Sequence, residues 1–336
     1  MIKSERIAGL DTLRGIGILV VVMVHAGLTG TAVNGALVFA VPLFYVVAGC
    51  LYRDMPSLKA LLADKTRRLI IPFLFFALAG LTLYVAGNCV ILHKSFNPHL
   101  FNILSTDRYY LPYPAALWFF MSIFWCYIFY GVLCRFAHTD AAKGIASLCI
   151  GAGGWILSRH AALPLSLDTA MSWLPFFYIG NMIANHSVGQ QLLKGKYAFA
   201  GAIMAAACCA LHIYAGLNTG YCYNLFVGSI PLIILLCLGA TMGMLMVCCK
   251  IGELPVISYI GRNSLVIFAC HQHFMIIMEQ GMKQLNIAND GRIFNYIIFV
   301  VSIAASAGAA ILLRKFAPRL IGERKKIRID ECTQLA

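Results

Sequence analysis

Charge is what this sequence has least of. Only 12% of its 336 residues are Asp, Glu, Lys or Arg, against about 25% in soluble globular proteins. Acidic residues are the scarcer sign, 13 against 26 Lys and Arg. No soluble domain, low-complexity linker or clear internal repeat interrupts the chain. No ten-residue segments of alternating polarity occur, which excludes a membrane β-barrel. The 13 cysteines contain no Cys-x-x-Cys and no paired metal spacing. Scattered through apolar segments, with Cys208–Cys209 and Cys248–Cys249 adjacent, they are expected to pack as small apolar residues. No cleavable signal peptide is evident, so the first apolar segment is expected to be retained.

What fills the space left by charge is apolar. The chain is 61% hydrophobic with a mean hydropathy of +0.81. Several runs reach the roughly 18–20 residues needed to cross the hydrocarbon of a bilayer. The expected fold class is all-α, a polytopic integral membrane protein of about ten transmembrane helices. The expected spans are Leu10–Leu28, Val33–Tyr52, Leu69–Leu92, Ala115–Phe136, Gly144–Leu157, Ala170–Ala184, Tyr197–Ala215, Leu225–Cys249, Ser264–Gly281 and Ile293–Leu313. The fifth and sixth are short. The eighth contains Pro231 and several glycines, which favour a kink or a break.

Lys and Arg orient the spans. With the N-terminus in the cytoplasm, all of the 26 except Lys94, Arg108, Arg159, Lys283 and Arg292 fall on the cytoplasmic side. Both termini are then cytoplasmic, and the location is a multi-pass protein of the cytoplasmic (inner) membrane. A single transmembrane domain spans 1–315, and 316–336 is a basic cytoplasmic tail. This bias accounts for most of the net charge of +13, without nucleic acid as a partner. The tail is expected to lie against anionic membrane lipids.

Against that background a few polar residues stand out. Arg14 and His25 share the first span, where ionisable groups are costly and mark function by default. Eleven residues separate them, about 16 Å of rise and close to three full turns, so they share one face. Asp11 lies within ion-pair reach of Arg14. The plainer alternative is a flanking arginine helped by Asp11, and a histidine bonding a neighbouring helix. Lys65, Arg67 and Arg68 crowd the entry to the third span. They suit either a positive-inside anchor or a site for phosphate, which guanidinium forks match. His271 lies about 15 Å into the ninth span, a depth close to that of His25, so the two imidazoles could line one cavity. His273 points elsewhere on that helix. A zinc site lacks a third ligand at this depth, and no metal is expected. Trp118 opens the fourth span, as an interfacial anchor or as a sugar-stacking aromatic.

These residues together resemble membrane acyltransferase family 3, over essentially the whole chain. Leu10-Asp11-Thr-Leu-Arg14-Gly15 followed by His25 is similar to that family's signature. Pro42 to Gly49, Lys65 to Pro72, Leu117 to Phe120 and Gly261 through His271 resemble its later segments, in order. The compact chain looks most like the branch related to fucose 4-O-acetylase. One departure is Lys65, where the family often has arginine. It keeps the charge and loses the fork, for which Arg67 would compensate.

The resemblance implies an O-acyltransferase. It would move an acyl group, most often acetyl, from cytoplasmic acyl-CoA to a hydroxyl of a cell-surface or lipid-linked glycan. Acetyl-CoA would be a co-substrate, with no permanently bound cofactor. His25, Asp11 and His271 would form the catalytic set, with His25 as general base. Arg14, Lys65, Arg67 and Arg68 would bind CoA phosphates, and Trp118 the acceptor. A neutral imidazole activating a hydroxyl is worth roughly 10²–10⁴-fold in rate. An acyl-histidine intermediate is the alternative use of the same ring. From a different class, ten spans with a broken eighth helix also suit a transporter or flippase of glycan or lipid precursors. The sequence leaves the acceptor and the oligomeric state open.

Overall fold

The computed structural model describes residues 8–91, 93, 95–106, 114–194, 196–285 and 291–323. Among these the chain is almost wholly helical. In order the helices are α1 (Ala8–His25), α2 (Thr31–Ala40), α3 (Pro42–Cys50), α4 (Leu58–Lys65), α5 (Ile71–Tyr84), α6 (Asn102–Ser105), α7 (Trp118–Phe136), α8 (Asp140–Ser158), α9 (Leu167–Asn185), α10 (Ser187–Leu193), α11 (Ala198–Tyr214), α12 (Ile230–Ile251), α13 (Pro255–Arg262), α14 (Ser264–Gln284) and α15 (Arg292–Phe316). The strands β1 (Asn218–Gly220) and β2 (Leu225–Val227) pair as an antiparallel hairpin.

Helix starts follow local chemistry. The side chains of Ser57 and Thr139 cap α4 and α8 by accepting from the backbone N–H of Ala60 and Ala142, satisfying otherwise orphaned donors. Prolines open α12 and α13, where a missing N–H costs nothing, whereas Pro42 and Pro72 stand where helical backbone continues from the residues before them. This corrects the expectation for Pro231. It lies in the first turn of α12, which runs unbroken for 22 residues, and the residues before it form β2. The second expected span passes from α2 to α3 at Val41, whose backbone stays right-handed helical. The fifth and sixth spans prove to be full 19-residue helices, α8 and α9.

Six helical stretches are long and apolar enough to cross a membrane: Thr31–Cys50, Leu58–Gly87, Ala115–Phe136, Asp140–Ser158, Ile230–Ile251 and Arg292–Phe316. A seventh is added if α10 and α11, bent by 84°, form one span. That is fewer than the ten expected. Helices α1, α9 and α14 stand at three of the expected places and are not among these stretches. They carry Asp11 and Arg14 on α1, Asp168 and Asn181 on α9, and His271, Gln272 and His273 on α14.

Helix α1 is central, in contact with α2, α3, α12, α13, α14 and α15. Its closest neighbour is the short α13, which the sequence had hidden inside a loop. The two run antiparallel, Gly15 against Ile257 and Gly261 against Asp11. A Cβ at Gly261 would collide with the Asp11 carbonyl, and one at Gly15 with the Ile257 carbonyl. Small residues are what let two membrane helices approach this closely. Thr12, fully buried, bonds through Oγ1 to the Gly252 carbonyl at 2.6 Å and to Ser258 Oγ at 2.8 Å. It thereby ties the α12–α13 turn to α1 and fixes where α14 begins.

Candidate active site

The α13–α14 turn brings Ser264 beside α1. Arg14 Nη2 donates to Ser264 Oγ at 2.8 Å, and Nη1 lies 3.8 Å from Asp11 Oδ1. Two partners thus orient the guanidinium. It lines a cavity of about 290 Å³ together with Lys65, Arg68, Arg262 and Arg314. Five cations around one cavity attract a polyanion. Arg262 and Arg314 are members that sequence reasoning had counted only as positive-inside charge. The signal was present, since both flank segments next to α1, but their convergence is tertiary.

The basic segment divides its labour. Residues Thr66–Ile70 form one π-helical turn between α4 and α5, a feature common at functional sites. Lys65 and Arg68 reach the cavity, and both pair with Asp64, at 3.4 and 3.0 Å. Lys65 Nζ also sits 3.9 Å from the centre of the Tyr127 ring, a cation–π contact. Arg67 does not line this cavity. It pairs with Asp64 at 2.8 Å and donates to the Gly322 carbonyl at 3.3 Å. The expected substitution of Arg67 for a missing fork at Lys65 therefore does not occur.

A second cavity of about 150 Å³ adjoins the first. Arg14, Leu69, Tyr127 and Leu265 belong to both. Its other walls are almost wholly apolar and include Phe44, Ile123, Phe119 and Phe268. Phe119 and Phe268 pack at a centroid distance of 5.2 Å, and Phe268 lies 5.9 Å from the ring of His271. The apolar cavity thus ends one helical turn short of His271.

There the two histidines meet. His271 Nε2 lies 2.9 Å from His25 Nδ1, with ring centroids 5.0 Å apart. His271 is fully buried, while His25 is exposed. His271 Nδ1 lies 3.0 Å from the Ile267 carbonyl oxygen. A carbonyl only accepts, so Nδ1 carries the hydrogen. In a neutral ring Nε2 is then the acceptor, and His25 Nδ1–H must donate to it. The remaining nitrogen, His25 Nε2, is left with a free lone pair. The chain of bonds from the Ile267 carbonyl through His271 therefore presents one basic nitrogen on an accessible face.

Adjacent residues of α14 hold this level of the structure together. The Ala116 backbone N–H donates to Gln272 Oε1 at 2.8 Å, and His273 Nε2 donates to the Phe76 carbonyl at 2.9 Å. His271, Gln272 and His273 thus bond α1, the turn before α7 and α5 respectively. Gln272 carried no motif and was missed.

Two expected members lie elsewhere. Asp11 stands 14 residues before His25, about 21 Å along the helix, and serves Arg14 instead of the imidazoles. Trp118 is buried against Phe119, with ring centroids 5.7 Å apart, and lines neither cavity. His25 is the last residue of α1, which ends three residues before the expected end of the span at Leu28. The helix ends there, and Asn295 Nδ2 donates to the Gly27 carbonyl at 3.1 Å. Among the described residues no group of three or more His, Cys, Asp or Glu could hold a metal ion.

Comparison with known proteins gives one match. No curated protein and no solved structure matches. The profile of one family, the acyltransferase 3 family, described as an acyltransferase domain, matches residues 7–313. That region contains Arg14, both histidines, the basic segment and all the apolar cavity. The chain belongs to membrane acyltransferase family 3 and is a membrane acyltransferase.

Proposed function

We propose that the protein transfers an acyl group, most often acetyl, from cytoplasmic acyl-CoA to a hydroxyl of a cell-surface or lipid-linked glycan at the inner membrane. The observation that carries this reading is the order of basic cavity, adjoining apolar cavity and, one helical turn beyond it, imidazole pair. CoA is a phosphate-rich nucleotide joined to a long, largely uncharged arm with a thioester at its end. The five cations suit the phosphates, and the apolar cavity suits the arm. His25 Nε2 takes the proton from the acceptor hydroxyl as its oxygen attacks the thioester carbonyl. The C–S bond then breaks, and the proton passes from His25 to the leaving CoA thiolate. The products are the O-acyl ester and CoA-SH, and His25 is returned to its starting form. General-base assistance of this kind is worth roughly 10²–10⁴-fold.

The likeness to the fucose 4-O-acetylase branch favours acetyl and a sugar hydroxyl. A transporter or flippase reading drew on the span count, buried polar residues and a broken eighth helix, and of these the last is absent, since α12 is continuous. The test uses membranes with wild-type protein or His25→Ala, acetyl-CoA labelled in the acetyl group, and a glycan pool. Label in the base-labile glycan fraction with wild type alone is the expected result. Equal incorporation by His25→Ala refutes the role of His25. Glycan or lipid flux across vesicles with no consumption of acyl-CoA refutes the transferase reading.

A further inference from the structure

The basic cavity has a wall beyond the region that the family profile covers. After α15 the chain turns through Pro318–Ile321 and returns to the basic segment. Ile321 is buried, and Gly322, at φ +76°, lies against the backbone of Arg68. A Cβ at Gly322 would stand 2.7 Å from Arg68 Cα, so only glycine fits both the conformation and the contact. Arg67 fastens this strap through its bond to the Gly322 carbonyl. The strap delivers Ile321, Gly322 and Glu323 to the cavity wall.

Glu323 is singular there. Every cation of the cavity has a carboxylate partner: Asp11 for Arg14, Asp64 for Lys65 and Arg68, Glu253 for Arg262 and Glu323 for Arg314. Of these four carboxylates only Glu323 itself lines the cavity. Its Oε1 lies 2.8 Å from Arg314 Nε, and both side chains are partly exposed, 44% and 37%. A pair so exposed is weak and exchangeable. An acid facing five cations occupies the place where an anionic ligand's charge would sit.

We propose that Glu323 is a built-in counter-ion of the anion cavity, held by the strap and displaced from Arg314 when a phosphate-bearing ligand enters. Arg314 and Arg262 then join Arg14, Lys65 and Arg68 as phosphate contacts. The contact offsets part of the cavity's positive charge, so an entering anion must outcompete Glu323 for Arg314. The cavity's occupant, a CoA thioester, rests on the function proposed above, whereas the counter-ion concerns phosphate of any source.

The test is titration calorimetry on the full chain in neutral-lipid nanodiscs, with tripolyphosphate and with CoA as separate probes. Glu323→Gln is expected to bind both on the order of two- to five-fold tighter, the range of one exposed ion pair. Arg314→Gln is expected to bind both more weakly, and adding Glu323→Gln to it is expected to bring no gain. Unchanged or weaker binding by Glu323→Gln overturns the proposal, as does an equal gain in the Arg314→Gln background. Tripolyphosphate binding that responds to Glu323 while CoA fails to bind keeps the counter-ion and removes the acyl-CoA reading. CoA binding indifferent to Glu323 does the reverse, and failure of both probes to bind removes both.

Discussion

His271 touches no cavity wall on the donor side, yet the hydrogen-bond chain makes it the residue that decides which nitrogen of His25 is basic. His271→Ala removes the acceptor for His25 Nδ1–H at 2.9 Å. A donor left without its partner costs about 1–3 kcal/mol. The ring escapes that cost by turning or by moving its hydrogen to Nε2, and either change removes the base from the reacting position. At about 1.4 kcal/mol per decade, kcat is expected to fall on the order of 5- to 150-fold. KM for acetyl-CoA is expected to stay near wild type, because the basic cavity is untouched. His271→Gln presents an amide oxygen that still accepts from Nδ1–H and is expected to recover part of the loss. The assay is labelled acetyl transfer by purified protein in nanodiscs, with each variant first checked for a monodisperse folded peak. Because the histidines act as one unit, His25→Ala with His271→Ala is expected to be no slower than His25→Ala alone. Wild-type kcat in His271→Ala would refute the reasoning. So would multiplicative losses in the double variant, since His271 would then act independently of His25.

Arg14→Ala removes a guanidinium from the junction of the two cavities, and hydrogen bonds to charged groups are worth about 1.5–3 kcal/mol. KM for acetyl-CoA is expected to rise on the order of ten-fold or more with a smaller change in kcat, and an unchanged KM would place the phosphates elsewhere. Phe268 closes the apolar cavity in front of His271. A cavity near 150 Å³ takes a benzene-sized group, so it holds no more than the thioester end of the CoA arm and leaves little length for the acyl chain. Phe268→Ala is therefore expected to shift the preference among acetyl-, butyryl- and hexanoyl-CoA toward the longer donors. An unchanged order of preference would rule out Phe268 as the end wall.

The two histidines were legible in the sequence because depth along a helix is arithmetic. Each lies a countable number of residues from a charged helix end, and equal depth on different helices is a condition for contact. The direction of the contact was not legible, since it depends on which faces of α1 and α14 oppose each other. That is set by Thr12 and by the glycines of the α1–α13 interface, residues that carry no chemistry. The basic segment was legible as charge and not as function. Three cations in four residues look equivalent, and only the returning strap separates Arg67, which holds backbone, from Lys65 and Arg68, which face the cavity. Trp118 stood out because it opens an apolar run, and its burial beside Phe119, with Ala116 bonded to Gln272, was not legible there. The prolines misled for a simpler reason. A proline disrupts a helix interior and favours a first turn, and the start of α12 lies nearer Pro231 than the hydropathy profile suggested.

Helices α1 and α14 carry the candidate site, and their pairing explains how its two ends stay in register. Arg14 to Ser264 and His25 to His271 are two rungs between the same helices, α1 and α14, which run parallel. The rungs are 11 residues apart on α1 and 7 apart on α14, or about 16 and 10 Å of rise. The difference of about 6 Å is taken up at the Arg14 rung, because an imidazole pair in hydrogen-bond contact has little reach and an arginine side chain has several flexible bonds. Arg14 must therefore lean along α1 toward the turn before Ser264, which is the direction in which it can line both cavities at once. A shorter cation at this position would keep the charge and lose one of the two: either the bond to Ser264 or the place at the junction. The spacing of arginine and histidine on α1 is thus a mechanical constraint as much as a motif, since moving either by one residue turns it about 100° away from its partner on α14.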